Sequence, residues 1–224
     1  GGEGDSDWAG EVPMGDHQHV ARNAIRILTH GERDTVTPVE VFRFVKASEF
    51  TEYCSEVDVR MACQTLARNP DRITESELAR IFADLVHRDH ITAKLQWDFM
   101  LLDLKEEEQE LSFDHLGRIP MRSVKLLFQV YRFQALAEDV EDSTAEQEGQ
   151  LKTSEAQKEQ LKKEMGLFES IVGDQGASLE EVRTAILDGP DKLSLYQQLV
   201  DEVSTTHNAM QVSNSDVDLS SQGR

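Results

Sequence analysis

Basic residues are scarce in this sequence: 23 Lys and Arg stand against 43 Asp and Glu, which gives a net charge of −20. Recognition of phosphate groups requires clustered Lys and Arg side chains. The charge balance therefore argues against DNA, RNA or an anionic membrane surface as the main partner. Long apolar runs are also missing, and none approaches the roughly 18 residues that a membrane span requires. We expect an acidic protein whose partners are other proteins and which has no direct membrane span.

Cysteine and the common catalytic motifs are equally sparse. The two cysteines, Cys54 and Cys63, are nine residues apart in one predicted helical region, so we expect buried free thiols rather than a disulfide or a metal pair. The sequence contains no Gly-x-Ser-x-Gly nucleophile motif, no Gly-rich phosphate loop and no His-Glu-x-x-His metal helix. We therefore predict no enzyme activity, no catalytic residues and no cofactor. An enzyme with a site assembled from distant residues is the third and weakest hypothesis.

Aromatic residues make up only 6% of the chain and apolar residues 38%, which is enough for one modest core but low for the whole length. Part of the chain is thus expected to be solvated or completed by a partner. The chain begins Gly1-Gly2 without Met, which favours a processed, trimmed or partial chain. We expect an intracellular location, organellar if a targeting segment has been removed.

One signal recurs at nearly even spacing: an apolar residue, then Ser or Thr, then a polar residue three places on, then a helical apolar pattern. The apolar residues of the three copies are Val36, Ile73 and Leu111, at intervals of 37 and 38. In the first two copies the Thr and the following Glu predict capping boxes. Strand signals are nearly absent. The fold class is therefore predicted to be all-α, a row of helix–loop–helix units.

This repeat resembles a degenerate EF-hand array of the calmodulin-like family. In that family an apolar loop residue pairs with its neighbour in a small β-bridge, and a Glu four residues later binds calcium with both oxygens. Val36, Ile73 and Leu111 match the apolar position. Glu40 and Glu77 match the terminal Glu, whereas the third copy has His115 there. The resemblance implies helix–loop–helix topology over residues 16–137.

The calcium ligands that this resemblance implies are largely missing. The first, third and fifth ligand positions fall on Thr29, Gly31 and Arg33 in the first copy, and on Leu66, Arg68 and Pro70 in the second. In the third they fall on Leu104, Glu106 and Glu108, and the family's loop glycine is replaced by Asp34, Asp71 and Gln109. We therefore predict no metal-binding residues. A fourth candidate loop, residues 172–178 followed by Glu181, pairs either with the third copy or with another chain.

Composition divides the chain into five segments. Residues 1–15 are predicted to form an extended acidic arm, and residues 16–137 a helical EF-hand-like domain. Residues 138–172 are rich in charge and predict a long helix or a linker. Residues 173–204 predict a helical hairpin, because Gly189-Pro190 separates two apolar helical patterns. Residues 205–224 are poor in apolar side chains and predict a disordered or partner-bound tail.

Several side chains are candidates for binding sites. His17 and His19 beside Asp16, and His87 and His90 around Asp89, allow metal binding, but exposed helix-end residues are the favoured interpretation. The acidic run of Glu106, Glu107, Glu108 and Glu110 is expected to be a solvated loop rather than a cation site. The apolar stripe Leu78, Ile81, Phe82, Leu85 and Val86 is expected to be core. The candidates for an exposed interface are Trp97, Met100, Leu101 and one face of the helix over residues 121–137.

Two functional hypotheses remain in front. The first is a non-catalytic helical interaction or scaffold subunit of a larger assembly, built on EF-hand-like units that have lost their calcium ligands. The alternative is a calcium-responsive regulatory protein with weak or unusual sites, and only the region 103–110 comes near the necessary oxygen ligands.

Overall fold

The computed structural model describes residues 14–104, 117–141 and 147–218, and places side chains for residues 17–103, 117–132 and 155–210. Over these ranges the chain is all-α, as predicted, and its β-structure is limited to two isolated bridges. The helices are α1 (Met14–Thr29), α2 (Pro38–Ala47), α3 (Glu56–Leu66), α4 (Glu75–Leu104), α5 (Met121–Glu141), α6 (Gln147–Val172), α7 (Leu179–Asp188) and α8 (Leu193–Asp218).

Capping residues explain where the short helices begin. Thr37 at the start of α2 and Ser178 at the start of α7 form complete capping boxes with Glu40 and Glu181, as the sequence predicts. Ser55 likewise forms a capping box with Asp58 at the start of α3. These boxes fix the position at which each loop turns into its helix.

The described residues form two compact units. The first contains the residues up to His90 together with those from Thr205 onward, and the second contains Ile91–Ser204. This division differs from the predicted one, because the boundary falls inside the 30-residue helix α4 rather than after residue 137. The predicted hairpin over residues 173–204 belongs to the second unit, since Val182 and Leu193 are buried in a cluster with Phe99 and Phe128.

The first unit has a core built from α1 to α4. Phe82 is fully buried, and its ring lies 5.6 Å from that of Phe44 and 5.1 Å from that of Phe50. Most of the predicted apolar stripe of α4 is buried, but Val86 is 38% exposed and does not belong to the core. The remaining buried apolar residues of this cluster are Ala21, Ala24, Ile25, Val36, Val41, Val45, Val59, Ala62, Cys63, Ile73, Leu78, Ala79, Ile81 and Leu85.

The second unit is organised around α5, α6 and α7. Phe128 of α5 and Phe168 of α6 are fully buried with ring centroids 5.2 Å apart. Beside them Arg132 donates to Glu164 across the same two helices, Nε to Oε2 at 2.8 Å. Residues 147–172, part of the segment for which a helix or linker is predicted, form helix α6.

Part of the predicted tail lies in helix α8. Helix α8 runs on through residues 205–218, where the sequence favours a disordered or partner-bound segment. His207 of α8 lies 3.1 Å from the carboxylate of Glu56. Residues 205–218 are thus helical, and a partner-bound tail stays a prediction.

Candidate functional site

Among the described residues, each unit contains one pair of loops joined by an antiparallel bridge. The first loop pair, residues 30–37 and 67–74, is joined where the N–H of Val36 donates to Ile73 at 3.0 Å and that of Ile73 donates to Val36 at 2.9 Å. Both side chains are fully buried, so the bridge anchors the loops in the core. The predicted pairing of these two apolar residues is therefore present.

The second loop pair, residues 117–120 and 173–178, repeats this geometry in the second unit. The N–H groups of Ile119 and Ala177 each donate to the other residue's carbonyl at 2.9 Å. The sequence predicts Leu111 as the third bridging residue; among the described residues it is Ile119 that bridges to the fourth candidate loop. Leu111 lies outside the described residues, as do residues 113–116 of the short helix that the sequence predicts over 113–118; residues 117 and 118 are not helical.

Three of the four bridging residues are followed four positions later by a glutamate: Glu40, Glu77 and Glu181. Ser123 stands at this position after Ile119 and is buried. His115, which the sequence predicts for this position in the third copy, lies outside the described residues. The hydrogen-bond donors around these carboxylates determine whether the loop pairs can bind a cation.

Glu40 is bound by an arginine of its own loop. The Arg33 guanidinium donates to both oxygens of Glu40, from Nη2 at 2.5 Å and from Nη1 at 3.4 Å. The same Nη1 donates to the carbonyl of Thr35 at 3.5 Å. The Thr37 N–H donates to Glu40 Oε2 at 2.9 Å. Both carboxylate oxygens are thus engaged by donors of the chain.

Glu77 is bound mainly by backbone. Its Oε1 accepts from the Arg68 N–H at 2.8 Å, and its Oε2 accepts from the N–H and the hydroxyl of Thr74, each at 2.9 Å. The side chain is buried, with 8% exposed. This carboxylate therefore ties together the two ends of the loop over residues 67–74.

Glu181 is bound by an arginine that comes from the other loop of its pair. The Arg118 Nη2 donates to Glu181 Oε2 at 2.8 Å and to the carbonyl of Gly176 at 2.7 Å. Its Nη1 donates to Glu181 Oε1 at 3.4 Å. The partners match those of Arg33, since Thr35 and Gly176 each directly precede a bridging residue.

The hydrogen bonds hold two of these carboxylates in the charged form. For Glu77, the N–H groups of Thr74 and Arg68 lower the pKa below its ordinary value of 4.5. For Glu40, burial alone would raise the pKa, but the hydrogen bonds from Arg33 and Thr37 outweigh it and the pKa is lowered. Both groups are therefore anionic at neutral pH.

Two glycines shape the second loop pair. Gly173 and Gly176 have φ angles of +75° and +74°, a backbone conformation that side chains disfavour. A Cβ at Gly176 would lie 2.2 Å from the carbonyl oxygen of Ile119, whereas a Cβ at Gly173 would meet nothing within 4 Å. Gly176 is therefore required for the close approach of the two loops.

An open cavity of about 700 Å³ lies against the first loop pair. It mixes both signs of charge, with acidic side chains from both loops beside two arginines. The lining residues are Gly31, Glu32, Arg33, Asp34, Thr35, Asp71 and Arg72. In the described part of the chain no group of three or more His, Cys, Asp or Glu side chains is arranged to hold a metal ion.

The candidate histidines differ in their exposure. His87 and His90 are exposed as expected, while Asp89 accepts a hydrogen bond from the Tyr53 N–H at 2.5 Å. His17 is buried, so its predicted exposed position is wrong, because the helix turns it inward beside Ala21 and Ala24.

The thiols behave largely as predicted. Cys63 is buried and free, and burial raises its pKa to about 12. Cys54 is only partly buried, and its thiol donates to the carbonyl of Leu85 at 3.3 Å. The burial of Cys63 disfavours a reactive thiolate at that position.

The predicted interface residues separate into two groups. Trp97 and Leu101 are 59% and 54% exposed, whereas Met100 is buried and its prediction is wrong. On α5, Leu126 and Val130 are each 54% exposed, one helical turn apart. Leu167 and Ile171 repeat this spacing on α6, at 42% and 51% exposure.

The residues that sequence reasoning missed are Arg118 and Gly176. Their partners lie 63 residues away at Glu181 and 57 residues away at Ile119, so no local pattern indicates the contacts. The one available signal was the Gly-Asp-Gln-Gly sequence before the Ser178 capping box, which marks a tight loop.

Comparisons with known proteins found no match among protein-family models, characterised proteins or solved structures. The resemblance to an EF-hand array thus depends on the residues and geometry of this chain alone. None of the described helices combines the length and the apolar character needed to cross a membrane.

Proposed function

We propose that this protein is a non-catalytic helical interaction subunit of a larger assembly, built on EF-hand-like loop pairs that no longer bind calcium. The observation that carries the proposal is the state of the loop glutamates. Glu40, Glu77 and Glu181 would each supply a bidentate calcium ligand in an EF-hand. In this chain their oxygens accept hydrogen bonds from Arg33, from the Arg68 and Thr74 backbone and from Arg118.

The other calcium ligands of an EF-hand are also replaced. Thr29 stands at the first ligand position of the first loop, and its hydroxyl donates to the carbonyls of Ile25 and Arg33 at 2.8 and 3.0 Å. Arg68 and Pro70 occupy the third and fifth positions of the second loop. A cation entering the second loop would meet positive charge or no side-chain oxygen at these two positions, and in the first loop the Thr29 hydroxyl is already hydrogen-bonded to the backbone. The loop pairs therefore serve as fixed structural joints.

The interaction role is supported by apolar side chains left on the surface of the second unit. Leu126 and Val130 on α5 form a pair at i, i+4 spacing, as do Leu167 and Ile171 on α6. Paired exposed apolar residues on adjacent helical turns are typical of surfaces that another protein covers. With a net charge of −20, a basic or neutral protein is the favoured partner.

Native mass spectrometry of the protein recovered from its own source tests the proposal. We expect a mass well above that of one chain, with the same composition in calcium and in a chelator. Leu126→Asp with Val130→Asp should release the chain from the complex. Gln129→Asp, at an exposed polar position of the same helix, is the matched control and should leave the complex intact. A free monomer from the native source would contradict the proposal.

The calcium-responsive alternative has one observation in its favour. Three acidic side chains, Glu32, Asp34 and Asp71, line the open cavity at the first loop pair. Under this alternative the composition of the native complex, or the helical content of the chain, changes with calcium at micromolar concentrations.

A further inference from the structure

The two loop pairs share an arrangement of oxygen atoms that recurs in both units. In each, a backbone carbonyl directly before the bridge and a carboxylate four residues after the bridge face the same group. The carbonyls belong to Thr35 and Gly176, and the carboxylates to Glu40 and Glu181. Carbonyl and carboxylate oxygens together form a typical binding environment for a hard cation.

A guanidinium group occupies both places. Arg33 bonds the Thr35 carbonyl and both oxygens of Glu40. Arg118 bonds the Gly176 carbonyl and both oxygens of Glu181. A guanidinium carries a fixed positive charge and five donors in a plane, so it can neutralise the carboxylate and satisfy the carbonyl at once.

The two arginines reach this place by different routes. Arg33 lies within the loop whose glutamate it binds, three residues before Val36. Arg118 lies in the opposite loop, directly before Ile119, and crosses to the carboxylate of Glu181. The same contacts made from unrelated sequence positions indicate a shared requirement for positive charge.

From this recurrence we propose that Arg33 and Arg118 are built-in substitutes for a bound cation, which hold the two loop pairs closed without metal. The inference rests on the proposed function and deepens it, because it names the groups that make the loops independent of calcium. The inference predicts that the positive charges of Arg33 and Arg118 keep the bridges closed, and that an ion pair elsewhere on the surface has no such effect.

Hydrogen exchange of the full chain tests the proposal at the bridges themselves. In Arg33→Gln the amides of Val36 and Ile73 should exchange about tenfold faster than in the wild type, because the carboxylate loses its bidentate partner. In Arg118→Gln the same change should appear at Ile119 and Ala177. Each effect should stay within its own loop pair, since each arginine bonds to a carbonyl and a carboxylate of its own loop pair.

Matched controls separate this role from the loss of any ion pair. Arg22 binds Glu75 through a bidentate contact at 2.9 Å in the first unit, and Lys125 binds Glu169 at 2.8 Å in the second. Arg22→Gln and Lys125→Gln remove surface ion pairs without touching a bridge, so bridge exchange should change less than about twofold. Equal acceleration in the controls and in the arginine variants would overturn the proposal.

A charge-preserving variant tests the cation role directly. Arg33→Lys keeps the positive charge but loses the fork of donors, so its exchange at Val36 should be slower than in Arg33→Gln and faster than in the wild type. Equal exchange in the two variants would show that charge is irrelevant and overturn the proposal. Circular dichroism of each variant confirms that the helices remain.

The same samples distinguish this inference from the proposed function. Calcium added to about 1 mM should leave wild-type exchange unchanged, because the guanidinium already occupies the oxygens. If calcium slows wild-type exchange, the proposed function fails. If calcium has no effect but Arg33→Gln and Arg118→Gln exchange like the wild type, the proposed function stands and this inference is wrong.

Discussion

Substitution of Gly176 by Ala is the sharpest perturbation of the second loop pair. The new methyl group would lie 2.2 Å from the Ile119 carbonyl oxygen and 3.0 Å from its carbon, so the two loops must separate. Separation breaks the two bridge hydrogen bonds between Ile119 and Ala177. Gly173 in the same loop has nearly the same φ but open space around its Cβ, which makes Gly173→Ala the matched control.

The expected magnitudes follow from these two geometries. Both substitutions force a side chain into the left-handed region, at a cost of about 1–2 kcal/mol. Gly176→Ala also loses two hydrogen bonds, each worth about 1 kcal/mol, so its total should reach about 3–4 kcal/mol. Gly173→Ala should remain at about 1–2 kcal/mol.

Urea unfolding followed by Trp97 fluorescence measures the difference. Trp97 belongs to the second unit, and Trp8→Phe removes the only other tryptophan. Hydrogen exchange at Ile119 and Ala177 reports whether the bridge opens in the folded state. Equal losses of stability for the two alanine variants would refute the argument that the close approach to Ile119 explains Gly176.

Three further predictions concern the first unit. Phe82→Ala should lower the free energy of unfolding in urea by about 3–5 kcal/mol, because the ring is fully buried. Val86→Ala on the same helix should change it by less than about 0.5 kcal/mol, because Val86 is partly exposed. Similar losses for the two variants would contradict the assigned core. Glu77 has a folded-state pKa below its unfolded value, so its stabilisation is present above about pH 4.5 and is lost as the pH falls through the folded value. Acid titration by circular dichroism should therefore show a flatter decline for Glu77→Gln than for the wild type, and parallel curves would argue against this linkage. Thr74→Ala removes the helix-start hydroxyl, which donates to Glu77, and should lower the melting temperature by an amount equivalent to about 1 kcal/mol. An unchanged melting curve would contradict the helix start there.

Local signals in the sequence predicted the parts of the fold that depend on neighbouring residues. The capping boxes at Thr37 and Ser178 depend on side chains three positions apart, and both are present. The spacing of 37 residues between Val36 and Ile73 also indicated their pairing. Such features can be derived from sequence because their physical causes lie within one or two turns of chain.

Contacts between distant residues could not be derived in this way. The boundary near residue 90 falls within a continuous helical pattern, because α4 contributes Phe82 to one core and Phe99 to another. The bridge between Ile119 and Ala177 joins residues that are far apart in the chain, so no local pattern indicates it. Periodicity also misjudged Met100 and Val86, since it gives the apolar face of a helix but not how much of that face is covered.

Within the candidate site, sequence alone indicated which calcium ligands are missing but not what replaces them. Arg33 stood in a predicted ligand position, yet its contact with Glu40 required the loop geometry. Arg118 lay outside any predicted ligand position and bonds to Glu181 across 63 residues. The charge partner of a loop carboxylate is a tertiary property, and only the folded chain identifies it.

Isothermal titration calorimetry of calcium into the full chain tests the central claim most directly. The loop glutamates are already bound by Arg33, by the backbone of Arg68 and Thr74, and by Arg118, so we predict no saturable binding below about 1 mM calcium. Circular dichroism in parallel should show the same helical content with calcium and with chelator. Binding at micromolar calcium together with a helical rearrangement would contradict the account and establish the calcium-responsive alternative.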